Sequence, residues 1–430
     1  MNDLCRLSAI EAANKLARRE ITATQYLNAC LERIDEREKD VRAFAYLGRE
    51  QAIAAAKALD AGPVRGPLHG LPVAVKDIFD TRDMPTQGGS KVYVGHQPLT
   101  DAACLALTKH AGAYLIGKTV TTELATFPPN ETRNPLNLGH TPGGSSSGSC
   151  ASVADFMVPL ATGTQTYGSV VRPAGYCGVI GYKPTYNLIP KKGVWADSDT
   201  LDTVGLIARN VPDVALFAAG MLRYQGLMVP DHGPNGVTAP RIGICRTHLW
   251  DKAAPEMKAA LENAANALSA TGATVKDLTL PEGFQALTEA QQHVAIWEIG
   301  RSLAYEFFEH GEKLRPLLRD RCAKAYEVKP EDYHRSIALG REYRQRVAQA
   351  FGDCDVLLTP AATGEAPKGL ESTGDPSFCN MWTFLHVPCV GMPGGKGPNG
   401  LPLGLQVVGR LDDDARTLAW AHWIHQRIWK

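Results

Sequence analysis

"TPGGSSSGSCASVAD", residues 141–155, decides how the rest of the chain is read. Its seven positions from Gly143 to Ser149 hold four serines and three glycines. Composition alone fits a flexible linker. The context argues against one, because the stretch runs straight into "CASVADFMVPLATGT", which has the look of a buried segment. Small residues leading into a packed element imply close backbone approach rather than flexibility. A phosphate-binding P-loop needs G-x-x-x-x-G-K-[ST], and "GGSSSGSC" has no lysine. Gly144, Ser146 and Gly148 match the nucleophile elbow G-x-S-x-G, but the elbow joins a strand to a helix and the preceding "RNPLNLGHTP" is turn-rich. No serine in the chain has a lysine three residues on, so an S-x-x-K arrangement is absent.

An active-site reading needs partners, and two segments supply them. Upstream, Lys76 ends the apolar run in "GLPVAVKDIFDT". It reads either as a partly desolvated lysine or as a snorkelling surface one. Downstream, Ser169 sits in a turn-like "YGS" within "GTQTYGSVVRPAGYCGVIGYKPT".

The chain has 430 residues, of which 44% are apolar, and 45 acidic residues balance 45 basic ones. This suits a globular protein with a sizeable core and points to no polyanionic partner. No basic stripe with interleaved aromatics suggests nucleic-acid binding. The first twenty residues are charged throughout, unlike a signal peptide, and no run of about 18 apolar residues predicts a membrane span. The ten cysteines are scattered with no C-x-x-C pair, which predicts reduced thiols in a cytoplasm and no metal site.

Residues 6–60 read as a helical layer, with Ser8 and Glu11 forming a capping box and Thr22 or Thr24 capping a second helix. From "LPVAVKDIF" onward, short β-branched runs alternate with helical patterns. The runs are "AYLIGKT", "VPLATGT", "CGVIGYKPT", "RIGICRT", "TVKDLTL", "DVLLTPAA" and "LPLGLQVVGR". "APEMKAALENAANALSA" is one of the helical patterns. Such alternation predicts an α/β protein with helices over a sheet. The Pro/Gly-rich "VPDHGPNGVTAP", residues 229–240, reads as a loop and a candidate subdomain boundary, and residues 285–350 read only as helical.

Taken in order, "GLPVAVKDIFDT", "TRNPLNLGHTPGGSSSGSCASVA" and "GTQTYGSVVRPAGYCGVIGYKPT" resemble the motifs of the amidase signature family. "TPAATGEAP", "DPSFCNMWTFLHVPCVGMP" and "GLPLGLQVVGR" resemble its closing segments. The resemblance runs from about residue 6 to the end and is weakest over the variable helical region, residues 220–350. It implies one α/β domain over residues 1–430, a large mixed β-sheet flanked by helices on both faces. It also implies a Ser–Ser–Lys triad, with Lys76 as base, Ser145 as the bridging serine that follows a cis peptide bond, and Ser169 as nucleophile. The oxyanion hole would come from the backbone N–H groups of Thr166, Tyr167 and Gly168, with Ser169 as a further candidate. No cofactor or metal enters this scheme; the partner is a small-molecule amide, and a homodimer is compatible with it.

The chemistry explains the residue types. A serine hydroxyl attacks an amide only when a base takes its proton. A lysine with its ordinary pKa of about 10.4 costs about 4 to 5 kcal/mol to hold neutral at pH 7. Burial lowers that cost by lowering the pKa. A hydroxyl donates and accepts at once, so Ser145 can relay a proton from Ser169 to Lys76 and return it to the leaving amine. The expected reaction is cleavage of a C–N bond through an acyl-enzyme on Ser169, then hydrolysis.

Three residues depart from the commonest family string, G-T-D-T-G-G-S followed by I-R-I-P. Gln165 replaces the acid, Tyr167 replaces a glycine, and Arg172 lies three residues after Ser169 rather than two. The shifted arginine with the glutamine resembles the malonamidase-like branch, in which the arginine binds a substrate carboxylate. A guanidinium suits such a contact; the alternative is a structural arginine paired with an internal acid. Tyr167 reads as a selectivity element that narrows or lids the pocket. The implied substrate is a carboxylate-bearing amide, with an aryl amide, urea derivative or carbamate as the alternative. The alternative class is the ammonia-producing subunit of a transamidation complex, for which this chain looks short. Phe127, Asn130, Trp382 and Phe384 lie in segments that border the pocket in the family. His422 and His425 read as surface or packing residues, and Cys177 as a small core residue.

Overall fold

A computed structural model describes residues 3–229 and 239–429. Most of the 229–240 stretch, read from sequence as a loop and boundary, therefore lies outside the described residues.

Among the described residues, eleven strands form one sheet. They are β1 (Phe44–Leu47), β2 (Pro72–Lys76), β3 (Tyr114–Thr119), β4 (Leu160–Gln165), β5 (Ile180–Lys183), β6 (Thr203–Ala208), β7 (Ile242–Ile244), β8 (Val275–Asp277), β9 (Val356–Pro360), β10 (Cys389–Lys396) and β11 (Pro402–Val408). Their order across the sheet is β1-β3-β2-β4-β6-β5-β10-β11-β9-β7-β8. β2 runs parallel to β3 and β4, and β7 parallel to β8 and β9. The remaining neighbours are antiparallel, so the sheet is mixed.

Every residue of β2, β3, β4, β5, β6, β9 and β11 is buried. Successive strand side chains point to opposite faces, so burial at every position means that both faces are covered. Helix Ser147–Ala154 packs on β2, β3, β4 and β6, helix Val171–Cys177 on β5, β10 and β11, and helix Pro255–Ser269 on β9, β10 and β11.

Three strands were not legible as strands. β1 interrupts the layer read as helical over residues 6–60. Among the described residues it is a short element held by pairing with β3 alone, and four residues carry too little local pattern to reveal that pairing. β6 and the Gly/Pro-rich β10 are set by their neighbours. In β10, Pro393 falls where the register with β11 shifts, the kind of interruption that tolerates a proline. The N-terminal caps are as read: Glu11 N–H donates to Ser8 Oγ at 3.1 Å and Ser8 N–H to Glu11 Oε2 at 2.8 Å. Thr22, not Thr24, caps the second helix.

The consequence for function is one edge of the sheet. β2 and β4 are parallel neighbours, with Ala74 paired to Ala161, so their carboxyl ends emerge together. Crevices outside such strand ends are where open α/β sheets hold ligands. Lys76 is the last residue of β2, and Gln165 the last of β4.

Candidate active site

Lys76 is fully buried. Its Nζ donates to Ser145 Oγ and to Thr164 Oγ1, each at 2.7 Å. Burial pushes its pKa down to about 7, against a partial upward pull from the carboxyl groups of Asp197 and Asp202. The snorkelling alternative is thereby excluded. Two other lysines are equally buried but differ in their partners. Lys118 Nζ lies 3.3 Å from the buried Asp77 carboxylate, and Lys183 Nζ donates to the carbonyl of Pro184 at 2.9 Å. Lys76 alone among the three has only hydroxyls as partners.

The serine-rich stretch is packed, not flexible. All residues from Thr141 to Val153 are buried. A Cβ on Gly148 would stand 2.1 Å from the carbonyl oxygen of Ala43, so only glycine fits where the loop crosses the chain. Ser146, the elbow serine, has its Oγ 3.4 Å from both the N–H and the carbonyl oxygen of Thr164, a packing role. The Gly144–Ser145 peptide is cis.

Arg172 fastens this loop. Its Nη2 donates to Gly144 O at 2.7 Å, and its Nη1 to Thr373 O at 2.6 Å and to Gly374 O. No carboxylate pairs with it among the described residues, so the internal-acid alternative is not what the fold uses. Its Nε is buried with no partner among the described residues.

After β4 the chain turns through Thr166, Tyr167, Gly168 and Ser169 into helix Val171–Cys177. All four carbonyls of this turn are engaged: Thr166 O by Gln291 Nε2, Tyr167 O by Thr383 Oγ1, Gly168 O by Arg172 N–H and Ser169 O by Ser146 N–H. By contrast, the N–H groups of Tyr167, Gly168 and Ser169 find no acceptor among the described residues. Gln165 explains its own departure from the family string. Its Oε1 accepts from the N–H groups of Val170 and Val171, both at 3.0 Å, and its Nε2 donates to Thr383 Oγ1 at 2.9 Å. A neutral amide thus caps the helix while tying the turn to helix Ser377–Phe384. Ser169 Oγ makes no hydrogen bond among the described residues. Such bonds are often long before substrate binds.

Ser169, Thr166, Tyr167, Arg172, Phe127 and Asp197 line one narrow cavity of about 10 Å³, close to the space a single water needs. The Tyr167 ring meets Phe127 edge-on at 5.5 Å between centroids, and its hydroxyl accepts from Arg321. The Arg321 guanidinium lies 4.0 Å from the Phe127 centroid. Three residues expected at the pocket are elsewhere. Asn130 is bound to the carbonyl of Thr121 and to Arg315, while Trp382 and Phe384 are fully buried in the core beyond the cavity lining. Cys177 is buried, as are all ten cysteines, and none is bridged. His425 is half-buried, with its pKa pushed down to about 4 by desolvation.

The Amidase family model matches residues 25–418. This chain belongs to the amidase family. Among relatives, it is 33% identical to the A subunit of glutamyl-tRNA(Gln) amidotransferase from Anaeromyxobacter sp. (strain K), with 99% of this chain and 97% of that one covered. Among solved structures, it superposes on a crystal structure of an amidase with a TM-score of 0.89 at 29% identity, covering 98% and 100% of the two chains. It also superposes on a chain from the structure of a vestigial protein complex that reveals the evolutionary origins of an s-triazine catabolic enzyme, with a TM-score of 0.88 at 27% identity and 98% of each chain covered.

This amidase-family chain surrounds the predicted residues with others that sequence reasoning did not single out. Thr164 shares Lys76 with Ser145. Asp202 accepts from Thr166 Oγ1 at 2.6 Å and from the N–H groups of Asp197 and Ser198 at 2.7 and 3.0 Å. Thr383 and Thr373 hold the turn and Arg172. Thr164 lies inside a quoted motif but 88 residues from Lys76, so only the strand pairing reveals it as a lysine partner. No helix among the described residues is long and apolar enough to cross a membrane.

Proposed function

We propose that this chain is an amidohydrolase that cleaves the C–N bond of a small amide through an acyl-enzyme on Ser169. The single observation that carries the reading is the 2.7 Å contact between Ser145 Oγ and a fully buried Lys76 with a pKa near 7. Such a lysine is about half neutral at pH 7 and can accept a proton.

In this mechanism neutral Lys76 takes the Ser145 proton as Ser145 takes that of Ser169. Ser169 Oγ then adds to the amide carbonyl. The negative oxygen is received by the unclaimed N–H groups of the turn, Tyr167 and Gly168 foremost, with Thr166 beside them. Donors that are fixed before reaction stabilise that charge without reorganisation. The tetrahedral adduct collapses as Ser145 passes a proton to the leaving nitrogen and Lys76 returns one to Ser145. Water, deprotonated along the same route, then cleaves the ester and restores Ser169.

Arg172 supports a carboxylate-bearing substrate. It lines the cavity with Ser169 and, among the described residues, has no carboxylate partner and an unpaired Nε. An aryl amide, urea derivative or carbamate is the alternative within the class. A second class is supported by the relatives, which are named as amidotransferase components and match over nearly their whole length. There the released ammonia would pass to a partner protein.

One assay separates these readings. Chain purified alone is screened for ammonia or amine release from malonamate, aryl amides, ureas and carbamates. Turnover of any of them by the isolated chain supports the hydrolase. Silence on all of them, with glutaminase activity appearing only alongside co-purifying subunits, supports the transamidation class.

A further inference from the structure

A second cavity, of about 320 Å³, adjoins the first and shares one wall with it, Asp197. It is lined on one side by Tyr93, His96 and Trp195, whose rings stand together with centroids 4.6 Å apart for Tyr93–Trp195, 5.7 Å for Tyr93–His96 and 5.8 Å for His96–Trp195. Ile78, Leu124 and Leu303 supply an apolar lining. Two carboxyl groups close it, Asp197 and Glu306, which are 5% and 7% exposed.

These carboxyls keep oxygens that the described residues do not engage. Glu306 Oε1 accepts from Tyr93 Oη at 2.6 Å, but its Oε2 is buried with no partner among the described residues. The Asp197 carboxyl accepts no hydrogen bond and joins no ion pair among the described residues. Its pKa is held well above the usual range by burial and by Asp202, and Lys76 and Arg321 are the cationic groups that oppose this. The aromatic wall is preset. Trp195 Nε1 donates to Asp80 Oδ1 at 2.9 Å, and the turn that carries Tyr93 is capped by Ser90.

Buried carboxyl oxygens without donors are costly unless a cation or donor arrives. Aromatic rings facing the same space attract a cation through their quadrupoles. The cavity beside Ser169 has room for about one water, whereas the larger space across Asp197 has room for a sizeable substituent of a substrate. We infer that the 320 Å³ cavity is a binding site for an organic cation, an alkyl chain ending in an ammonium group, carried by the substrate. The alkyl stem lies along Ile78, Leu124 and Leu303, and the ammonium group meets Glu306, Asp197 and the aromatic wall. Placing that cation on an amide substrate rests on the hydrolase reading above; the site itself does not.

The test has two arms. Calorimetric titration compares n-butylammonium with uncharged n-butanol, on the wild-type chain and on Ser169→Ala. The expected result is at least tenfold tighter binding of the cation, lost about tenfold in Glu306→Gln and several-fold in Trp195→Ala. Gln keeps an acceptor for Tyr93, and Asp197→Asn serves if Glu306→Gln fails to fold. Equal affinity for the two probes, or undiminished binding in the carboxyl variants, overturns the site. The second arm compares kcat/KM for an alkyl amide and its ω-amino counterpart. A tenfold preference for the cationic amide, lost in Glu306→Gln, is expected. Amine binding with no turnover of these amides or of any compound in the screen above sinks the hydrolase reading and leaves the site standing. Amide turnover without preference or amine binding does the reverse. Amine binding with turnover but no preference overturns the placement of the cation on the substrate.

Discussion

Thr164 Oγ1 stands as close to Lys76 Nζ as Ser145 Oγ does, 2.7 Å in each case. The lysine, the last residue of β2, is thus held between the hydroxyl of Thr164 on the parallel strand β4 and that of Ser145 in the serine-rich loop, with no carboxylate in direct contact among the described residues. A hydroxyl lone pair supports the ammonium form without fixing it as a carboxylate would. Thr164→Val keeps the β-branched shape and removes this support. The expected result is a Lys76 pKa about one unit lower, since a hydrogen bond to a charged group contributes about 1.5–3 kcal/mol. The acid limb of the kcat/KM profile should move to lower pH by a similar amount. An unmoved limb would show that Thr164 does not tune the lysine.

The wild-type profile has its own expectation. Lys76 acts as the neutral amine, and its pKa is about 7. Log kcat/KM should therefore rise with a slope of about one below pH 7 and level off above. Lys76→Ala should lose both the limb and nearly all turnover. A flat profile between about pH 5 and 8 on a substrate with no titrating group of its own would contradict the assignment.

The same burial has a stability consequence with a definite sign. The folded-state pKa of about 7 lies below the ordinary lysine value, so the folded chain binds fewer protons than the unfolded one between those limits. Stability rises with pH across that window. Below pH 7 the full penalty applies, up to roughly 5 kcal/mol, and above about 10.5 it is gone. Lys76→Met, measured by chemical denaturation, should be more stable than the wild type at pH 6, with the difference shrinking toward pH 10. The loss of two hydrogen bonds offsets part of the gain. A pH-independent difference would argue against a depressed lysine.

The two serines should separate in stability as well as in activity. Ser169 Oγ makes no hydrogen bond among the described residues, so Ser169→Ala should abolish turnover while shifting stability by less than about 1 kcal/mol. Ser145→Ala removes a partner of a buried lysine. It should lower kcat by about 10²–10⁴ and also lower the melting temperature. Full activity in either variant would sink the relay.

Tyr167 fills the space beside Ser169 together with Phe127. Tyr167→Gly should open the narrow cavity and shift kcat/KM toward bulkier amides. It should also destabilise the fold by about 3–5 kcal/mol, as for other large aromatic truncations. Unchanged relative kcat/KM across a small amide panel would count against a selectivity role.

Much of this protein was legible in its residues. Eight short β-branched runs became strands, because their alternation with helical patterns reflects burial between helices, a local property of composition and spacing. The caps at Ser8 and Thr22 were legible for the same reason, as each bond spans three residues. The motifs around Lys76, Ser145 and Ser169 carried the family resemblance, and the family match over residues 25–418 agrees with it.

The tertiary structure decided what depends on contacts between distant residues. Sequence distinguishes Lys76 from Lys118 and Lys183 only by resemblance; the fold does so physically, by giving Lys118 an aspartate and Lys76 two hydroxyls alone. Arg172 read equally well as a carboxylate ligand or an acid-paired strut. The fold gives it no internal acid among the described residues and sets its Nη1 and Nη2 on the carbonyls of Gly144, Thr373 and Gly374, which lie far apart along the chain. Asp197 and Glu306, 109 residues apart in sequence, carry no motif, and only packing brings them to one cavity. "TPGGSSSGSCASVAD" shows both sides. Its small residues announced close packing, since only they allow it. Which serine meets the lysine was settled by the pairing of β2 with β4 and the crossing of Gly148 over Ala43, long-range contacts that no local pattern encodes.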